Sequence, residues 1–391
     1  MSLKIGILGK PNSGKSTLFS ALTGTAAAIG NYPFTTINTD VGVSYIISRC
    51  PHTEINTPCS PNYGRCVNGK REIPREIADV PGLIQGASQG KGMGNQFLDN
   101  ISDMNAIVNL INPVGEDNKI LSPEDIENAA IEIENEIFTW FASRVSRDWQ
   151  RFAKKEDASD SSLDDKLLSK LSFFGISRNE IRILLSKESF SHTLIGWTDD
   201  DFMRISRSVF THIKPIIRVV NKGDIIHDNR IMDRILDRIL ENGYPIISAD
   251  YELSIWKALN NGIIESSDDL NGNNKANEPQ KAALNKISAL FEGGKVIMLS
   301  QLFSRIVYEN LSHIVVYPVY DESKWTDKKG TVLPDTFLMS SKSTAEDLAF
   351  RVHSDIGEGF IRAIDGRTKM ILGRNYELKD RDVIRIISKT K

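Results

Sequence analysis

The chain has 391 residues, of which 40% are apolar, and its formal net charge is −3. This material can form a sizeable core and favours two or three domains, while the charge excludes a global field that recruits nucleic acid. No apolar run approaches the roughly 18 residues of a membrane-spanning helix, and three cysteines fit a reducing compartment. A first strand that begins at Leu3 leaves no room for a secretory signal. We therefore expect a cytoplasmic protein of several domains without membrane contact.

The first motif in the chain is a phosphate-binding loop. An apolar run at 3–8 precedes G-K-P-N-S-G-K-S at 9–16, and a helical pattern follows, which is the context that this motif requires. Loop N–H groups and the helix N-terminus can bind phosphate oxygens. Lys15 would reach the β- and γ-phosphates and the Ser16 hydroxyl would bind Mg²⁺. The residues assigned to nucleotide binding in this segment are Gly9, Pro11, Asn12, Ser13, Gly14, Lys15, Ser16 and Thr17.

A second segment, N-Y-P-F-T-T at 31–36, precedes a predicted strand at 41–47. Thr36 in this loop can give Mg²⁺ a hydroxyl ligand and use its backbone N–H on the γ-phosphate. Because that contact exists only with a bound triphosphate, the segment is predicted to act as a switch.

A third segment begins at Asp79, which ends a predicted strand at 75–79. Its carboxylate can hold the water shell of Mg²⁺, and the Gly82 N–H can bind the γ-phosphate. Four glycines among residues 86–94 disfavour regular structure and predict a second switch. We assign catalytic roles to Lys15, Thr36 and Gly82, and Mg²⁺ binding to Ser16, Thr36 and Asp79.

The motif N-K-G-D at 221–224 follows an apolar run at 216–220. The Asp224 carboxylate can accept hydrogen bonds from the N1–H and N2–H₂ groups of guanine, a donor pair that adenine lacks. A site built on such bonds rejects the analogue strongly. Asn221 would tie this segment to the phosphate loop, and the stem of Lys222 would cover the base.

Ser248 and Ala249 complete the set at the end of a further predicted strand, and the Ala249 N–H would approach guanine O6. Apolar strands alternate with helical stretches through this part of the chain. The pattern predicts a mostly parallel α/β sheet with ligand loops at the carboxyl ends of its strands. The predicted strands are 3–8, 41–47, 75–79, 106–111, 216–221 and 244–248.

Together these segments resemble the Obg/YchF family of translation-factor GTPases, in particular its YchF-like branch with a C-terminal TGS domain. The similarity includes N-Y-P-F-T-T at 31–36, D-V-P-G-L-I-x-G-A at 79–87 and G-K-G-x-G-N-Q-F-L at 90–98. In the tail it includes V-Y-P-V at 316–319 and H-x-D-I-G at 353–357.

The resemblance implies a Ras-like P-loop NTPase fold with a mostly parallel sheet, a helical insertion and a ubiquitin-like β-grasp (TGS) domain. It places the nucleotide-binding G domain at 1–112 and 214–308, the insertion at 113–213 and the TGS domain at 309–391. The implied function is a switch that hydrolyses GTP with Mg²⁺ and acts on the ribosome or translation factors, and we expect the chain to be a monomer. Contact with rRNA or tRNA is expected through the insertion and the TGS domain.

The resemblance also leaves alternatives open. Leu83 lies where Ras-like proteins keep a catalytic glutamine, so intrinsic hydrolysis is expected to be slow. Asn12 occupies a position that binds K⁺ in several related GTPases, or it only satisfies loop backbone groups. Some YchF-branch members prefer ATP, whereas this chain keeps Asn221 and Asp224, which favours GTP over the ATP alternative. A further alternative is an RNA- or ribosome-binding module in which nucleotide is mainly a structural ligand.

The insertion is predicted to begin with a helix at S-P-E-D, residues 122–125. Apolar residues recur at helical spacing as far as Trp149, and the polar run 154–166 is expected to end this helix before at least one more over 167–185. The Trp/Phe stripe is predicted to pack within the insertion, and a basic stretch at 144–155 either meets RNA or is a solvated face.

Cys50, His52, Cys59 and Cys66 lie in one insertion between two predicted strands. Four such ligands can form a tetrahedral Zn²⁺ site. Because the spacing is irregular and lacks a C-x-x-C pair, free thiols and, in a hyperthermophile, one disulfide remain alternatives.

Overall fold

The computed structural model describes residues 3–27, 41–80, 100–115, 117–227, 230–267 and 269–389. The chain forms two compact units, which we call the phosphate-loop unit and the C-terminal unit. The phosphate-loop unit consists of Lys4–Ala21 and Ile77–Met298, and the C-terminal unit of Met1–Leu3, Leu22–Glu76 and Leu299–Lys391. Within the described ranges, none of the helices has the length and apolar character needed to cross a membrane.

The strands are β1 (Lys4–Leu8), β2 (Val41–Arg49), β3 (Cys66–Val67), β4 (Lys70–Asp79), β5 (Ala106–Ile111), β6 (Ile216–Val220), β7 (His313–Val319), β8 (Phe337–Ser340), β9 (Phe360–Asp365), β10 (Ile371–Leu372) and β11 (Asp382–Ser388). The α-helices are α1 (Lys15–Ala27), α2 (His52–Ile55), α3 (Pro123–Ser146), α4 (Trp149–Asp157), α5 (Leu163–Leu171), α6 (Arg178–Lys187), α7 (Asp199–His212), α8 (Gly223–His227), α9 (Arg230–Glu241), α10 (Ala249–Asn260), α11 (Glu278–Glu292), α12 (Leu299–Arg305), α13 (Ala345–Val352) and α14 (Ser354–Glu358). Short 3₁₀ turns occur at Ser172–Phe174 and Leu194–Gly196, and a π-helical turn at Ile306–Asn310.

The phosphate-loop unit is built on a parallel sheet. β5 is buried along its whole length and pairs in parallel with β1 on one side and β6 on the other, as expected for an apolar strand covered on both faces. The end of β4 lies beside β1, where the Val80 N–H donates to the Ile7 carbonyl at 3.1 Å. The carboxyl ends of these parallel strands therefore meet at one edge of the sheet, where the predicted ligand loops begin.

The strand predicted at 244–248 is reduced to one bridge, between Val220 and Ile246. The N–H groups of Val220 and Ile247 donate across this contact. Pro245 has no N–H with which to extend the hydrogen-bond ladder between these segments, so the pairing is limited to one bridge.

The insertion is a group of packed helices, α3 to α7. Ser122 caps α3, accepting a hydrogen bond from the Asp125 N–H, with Pro123 in the first turn, as predicted. The predicted end of this helix was wrong: α3 stops at Ser146, because Arg147 leaves the helical region with ψ 127° and Asp148 has a left-handed backbone with φ 55°.

The aromatic residues of the insertion pack against one another, as predicted. Phe141 and Phe174 meet edge to face with ring centroids 4.9 Å apart, and Trp149 stacks on Trp197 at 5.0 Å. Because Trp149 and Trp197 are about 95% buried, these rings form the insertion's own core.

The C-terminal unit contains a five-stranded sheet in the order β10-β9-β11-β7-β8. β11 runs parallel to β7, and the other pairs are antiparallel. Leu348 and Ala349 of α13 pack in the same apolar cluster as Ile384 of β11. This is a β-grasp arrangement. The helical segment of this unit consists of two helices, α13 and α14, separated at His353, whose backbone is extended.

Candidate nucleotide-binding site

The loop between β1 and α1 requires glycine at two positions. A Cβ atom at Gly9 would lie 2.5 Å from the Leu110 carbonyl oxygen. Gly14 has φ +92°, and a Cβ there would collide with the side-chain amide of Asn221. Residues other than glycine rarely adopt such a φ. Glycine at position 14 therefore allows both the tight turn and the close approach of the Asn221 side chain.

Lys15 begins α1, and its side chain folds back over the loop. The amine donates to the Gly9 carbonyl at 2.8 Å and the Lys10 carbonyl at 3.1 Å. Burial lowers the pKa of Lys15 below its ordinary value, and the negative charge of Asp79 partly offsets this. The amine is thus held at the loop, with the Asp79 carboxylate close enough to act on its charge.

Lys10 makes a contact at the loop for which the sequence gives no signal. Its amine forms an ion pair with Glu132 of α3. The two residues are 122 positions apart, and both side chains are partly exposed, so neither periodicity nor local spacing identifies the pair.

Asn221 connects two of the predicted loops. Its side-chain amide donates to the Ser13 carbonyl at 2.8 Å, and its Oδ1 accepts the Ala249 N–H at 3.0 Å. The side chain is 2% exposed. The Ala249 N–H, predicted to approach guanine O6, therefore has Asn221 as its acceptor in this structure, and the O6 contact stays a prediction.

Asp224 lies on α8, next to the 248 segment. Its Oδ1 accepts a hydrogen bond from the Ser248 hydroxyl at 2.6 Å, and the same hydroxyl accepts the Tyr251 N–H at 3.4 Å as the N-cap of α10. Lys222 precedes this helix with a left-handed backbone, φ 59°. The structure thus brings Asp224 and Ser248 into contact. Asn221, in the same N-K-G-D motif as Asp224, contacts the phosphate loop.

The oxygen donors predicted for Mg²⁺ are only partly described. Ser16 is exposed in the first turn of α1, and Asp79 ends β4. Hydroxyl and carboxylate oxygens are the hard ligands that Mg²⁺ prefers, so this donor set fits the ion. Thr36 and Gly82 lie outside the described residues, as do all of 31–36 and 81–98. Their predicted roles stay predictions.

Three cysteines and one histidine come together in the C-terminal unit, and we call this group the Cys/His cluster (Cys50, His52, Cys59 and Cys66). Their ligand atoms all lie within 4.8 Å of one another. The buried Arg71 side chain reaches the Cys59 sulfur at 3.6 Å. The sequence predicted the four ligands as one of three alternatives and gave no signal for Arg71.

Three family models match the chain. One described as a 50S ribosome-binding GTPase matches residues 4–142, one described as the G4 motif-containing domain of YGR210-like Obg-like GTPases matches 219–321, and the TGS domain model matches 326–388. With the parallel sheet and the glycine loop, they define a P-loop nucleotide hydrolase of the GTPase class with a TGS domain. The predicted fold class is confirmed.

Known proteins are similar over nearly the whole chain. A GTP-binding protein of Methanocaldococcus jannaschii is 35% identical over 393 residues, covering 99% of each chain. The ribosome-binding ATPase YchF of Haemophilus ducreyi is 28% identical over 380 residues, covering 93% of this chain and 88% of its own. The crystal structure of a GTP-binding protein from Pyrococcus horikoshii superposes with a TM-score of 0.77 at 28% identity, covering 99% and 100%. The chain belongs to the Obg/YchF family.

Proposed function

We propose that this chain is a GTP-hydrolysing switch that acts at the ribosome in the cytoplasm. The observation that carries the proposal is a pair of hydrogen bonds at Asn221, whose side-chain amide donates to the Ser13 carbonyl and whose Oδ1 accepts from the Ala249 N–H. They place the N-K-G-D segment beside the phosphate loop, with Asp224 held by Ser248. This is the arrangement needed to read a guanine base whose phosphates lie on the loop.

The residues of the chain have distinct proposed roles in hydrolysis. Lys15 would exchange its two carbonyl acceptors for β- and γ-phosphate oxygens, and the loop N–H groups would bind the remaining phosphate charge. Ser16 and Asp79, with Thr36, would hold Mg²⁺, which neutralises charge on the phosphates when bound. Leu83 cannot orient water by hydrogen bonding, so we propose a low intrinsic rate.

Asn12 is the residue that would hold K⁺. It is exposed in the loop and has a left-handed backbone, φ 63°. Hydrolysis measured in K⁺ and in Na⁺ tests this role: a K⁺ requirement that is lost in Asn12→Ala supports it, and equal rates in both ions assign Asn12 to the loop backbone alone.

We propose the domain boundaries 1–112 with 214–308 for the G domain, 113–213 for the helical insertion and 309–391 for the TGS domain. The ribosome is the proposed partner, supported by the description of the model that matches 4–142 and by the name of the Haemophilus relative. Exposed basic residues on the insertion can meet rRNA or tRNA phosphates; they are Arg147, Arg151, Lys154 and Lys155.

Base selectivity tests the proposed substrate. In Asp224→Asn, the new amide can accept from N1–H of xanthine and donate to its O2, so we expect GTP turnover to fall and XTP turnover to rise. Asp250→Asn changes an exposed carboxylate at the start of α10 and is the matched control. Unaltered GTP and ATP selectivity in Asp224→Asn would show that the base is read elsewhere.

Hydrolysis of GTP and of ATP, measured side by side with and without ribosomes, separates the remaining alternatives. GTP turnover stimulated by ribosomes supports the switch. Preferential ATP turnover would place the chain with the relatives named ATPases. Tight nucleotide binding without turnover under any condition would favour a ribosome-binding module in which nucleotide is structural.

A further inference from the structure

Two pairs of ligand atoms in the Cys/His cluster have the spacing expected for a tetrahedral metal site. The sulfur atoms of Cys50 and Cys59 are 3.7 Å apart, and the Cys66 sulfur is 3.5 Å from Nδ1 of His52. With Zn–S at about 2.3 Å and Zn–N at about 2.0–2.1 Å, tetrahedral angles place two sulfurs about 3.8 Å apart and a sulfur and a nitrogen about 3.6 Å apart. A disulfide needs sulfurs about 2.05 Å apart. We infer that the Cys/His cluster binds one structural Zn²⁺ ion.

The local fold explains how irregularly spaced residues converge. Asn68 and Gly69 both have positive φ and form the two-residue turn of a hairpin between β3 and β4, a sequence that favours this turn type. The hairpin brings Cys66 back opposite Arg71. The Cys50 N–H donates to the Gly69 carbonyl at 2.8 Å, which fixes the end of β2 beside the same turn.

The charge around the cluster also favours an anion. Arg71 is fully buried and donates to the Leu333 and Pro334 carbonyls at 3.1 and 2.9 Å. Among the residues that the structure describes, no carboxylate forms an ion pair with it, and a buried charge without a counter-charge is costly. Three thiolates, one neutral imidazole and Zn²⁺ carry a net charge of −1. A metal centre beside the Cys59–Arg71 contact therefore balances the guanidinium, whereas neutral thiols or a disulfide do not.

Four protein ligands close the coordination sphere, which is typical of structural rather than catalytic zinc. Cys50 packs in one apolar cluster with Tyr317 and Leu333 of the same compact unit. Nearby, the Ser60 N–H donates to the Val332 carbonyl and the Asn62 N–H to the Pro334 carbonyl. The ion would thus fasten the 50–72 segment to the TGS part of the C-terminal unit.

The test uses the full chain purified under reducing conditions without chelator. Mass spectrometry of bound metal is expected to find one zinc ion per chain. After removal of the metal and addition of Co²⁺, we expect the visible absorption of a tetrahedral site with thiolate ligands. Cys66→Ser and His52→Gln should each lose most of the metal, whereas His192→Gln, which changes an exposed histidine, should keep it.

Chelation is expected to lower the unfolding temperature of the wild-type chain. Failure of a variant to fold leaves the wild-type Co²⁺ spectrum as the decisive measurement. The inference is overturned by wild-type protein without stoichiometric zinc and without a tetrahedral Co²⁺ spectrum, or by a disulfide among the three cysteines. The test uses no nucleotide, so its outcome is independent of the proposed GTPase activity.

Discussion

Replacing Asn221 with alanine is expected to weaken both the stability of the phosphate-loop unit and its affinity for nucleotide. The change removes the acceptor of one buried N–H and the donor to one buried carbonyl, on Ala249 and Ser13. A buried polar group without a partner costs about 1–3 kcal/mol, so two such groups reduce the free energy of unfolding by about 2–6 kcal/mol. A change of about 1.4 kcal/mol corresponds to a tenfold change in affinity. GTP affinity would therefore fall at least tenfold if about 1.4 kcal/mol of this loss affects the nucleotide-bound state and not the free state.

Thermal and urea unfolding measure the first effect, and titration with a fluorescent GTP analogue measures the second. Asn260→Ala, at an exposed position at the end of α10, is the matched control. Asn221→Asp separates the two hydrogen bonds, because it keeps an acceptor for the Ala249 N–H and loses the donor to Ser13. An unfolding midpoint and a GTP affinity equal to those of the control would contradict this prediction.

Two further predictions concern the same unit. Gly14→Ala should reduce nucleotide affinity strongly, because position 14 has φ +92° and the added Cβ would collide with Asn221. Gly373→Ala, where the added Cβ meets open space, is the control. Equal GTP affinities of the two variants in a titration would contradict the prediction. Lys214 is 8% exposed, and burial lowers its pKa from 10.5 to about 8. Burying its charge therefore costs stability below pH 8, and this cost is relieved as pH rises from 8 to 10.5. Relative to Lys214→Met, the wild-type free energy of unfolding should rise by about 2 kcal/mol between pH 7 and 9.5, and parallel pH profiles would contradict this.

The strongest sequence signals were those set by local chemistry. The apolar run at 106–111 and the glycine loop at 9–16 predicted β5 and the turn before α1, because burial on both faces and a left-handed Gly14 leave few alternatives. The N-cap at Ser122 was predicted for the same reason, since capping depends on residues within one turn.

Features that depend on long-range or unusual local geometry could not be predicted in this way. The break after Ser146 has neither glycine nor proline, and it depends on a left-handed Asp148. The three alternatives for the cysteines could not be separated, because the spacing does not show that the Asn68–Gly69 turn returns Cys66 to Cys50.

The hydrogen bonds around the predicted base loop bear on the choice between GTP and ATP. The Ser248 hydroxyl accepts the Tyr251 N–H and has one proton to donate, which it gives to Asp224. The Asp224 carboxylate is therefore oriented by the protein before any base arrives, so guanine needs little further ordering of this group to bind. Adenine has no N1–H and N2–H₂ donor pair, so it would bury the same carboxylate without replacing the hydrogen bonds lost with water. Such a mismatch can disfavour the wrong nucleotide by a factor of about 10⁴. If Asp224 reads the base as proposed, ATP use by this chain would require a base position away from Asp224, and Asp224→Asn distinguishes the two cases.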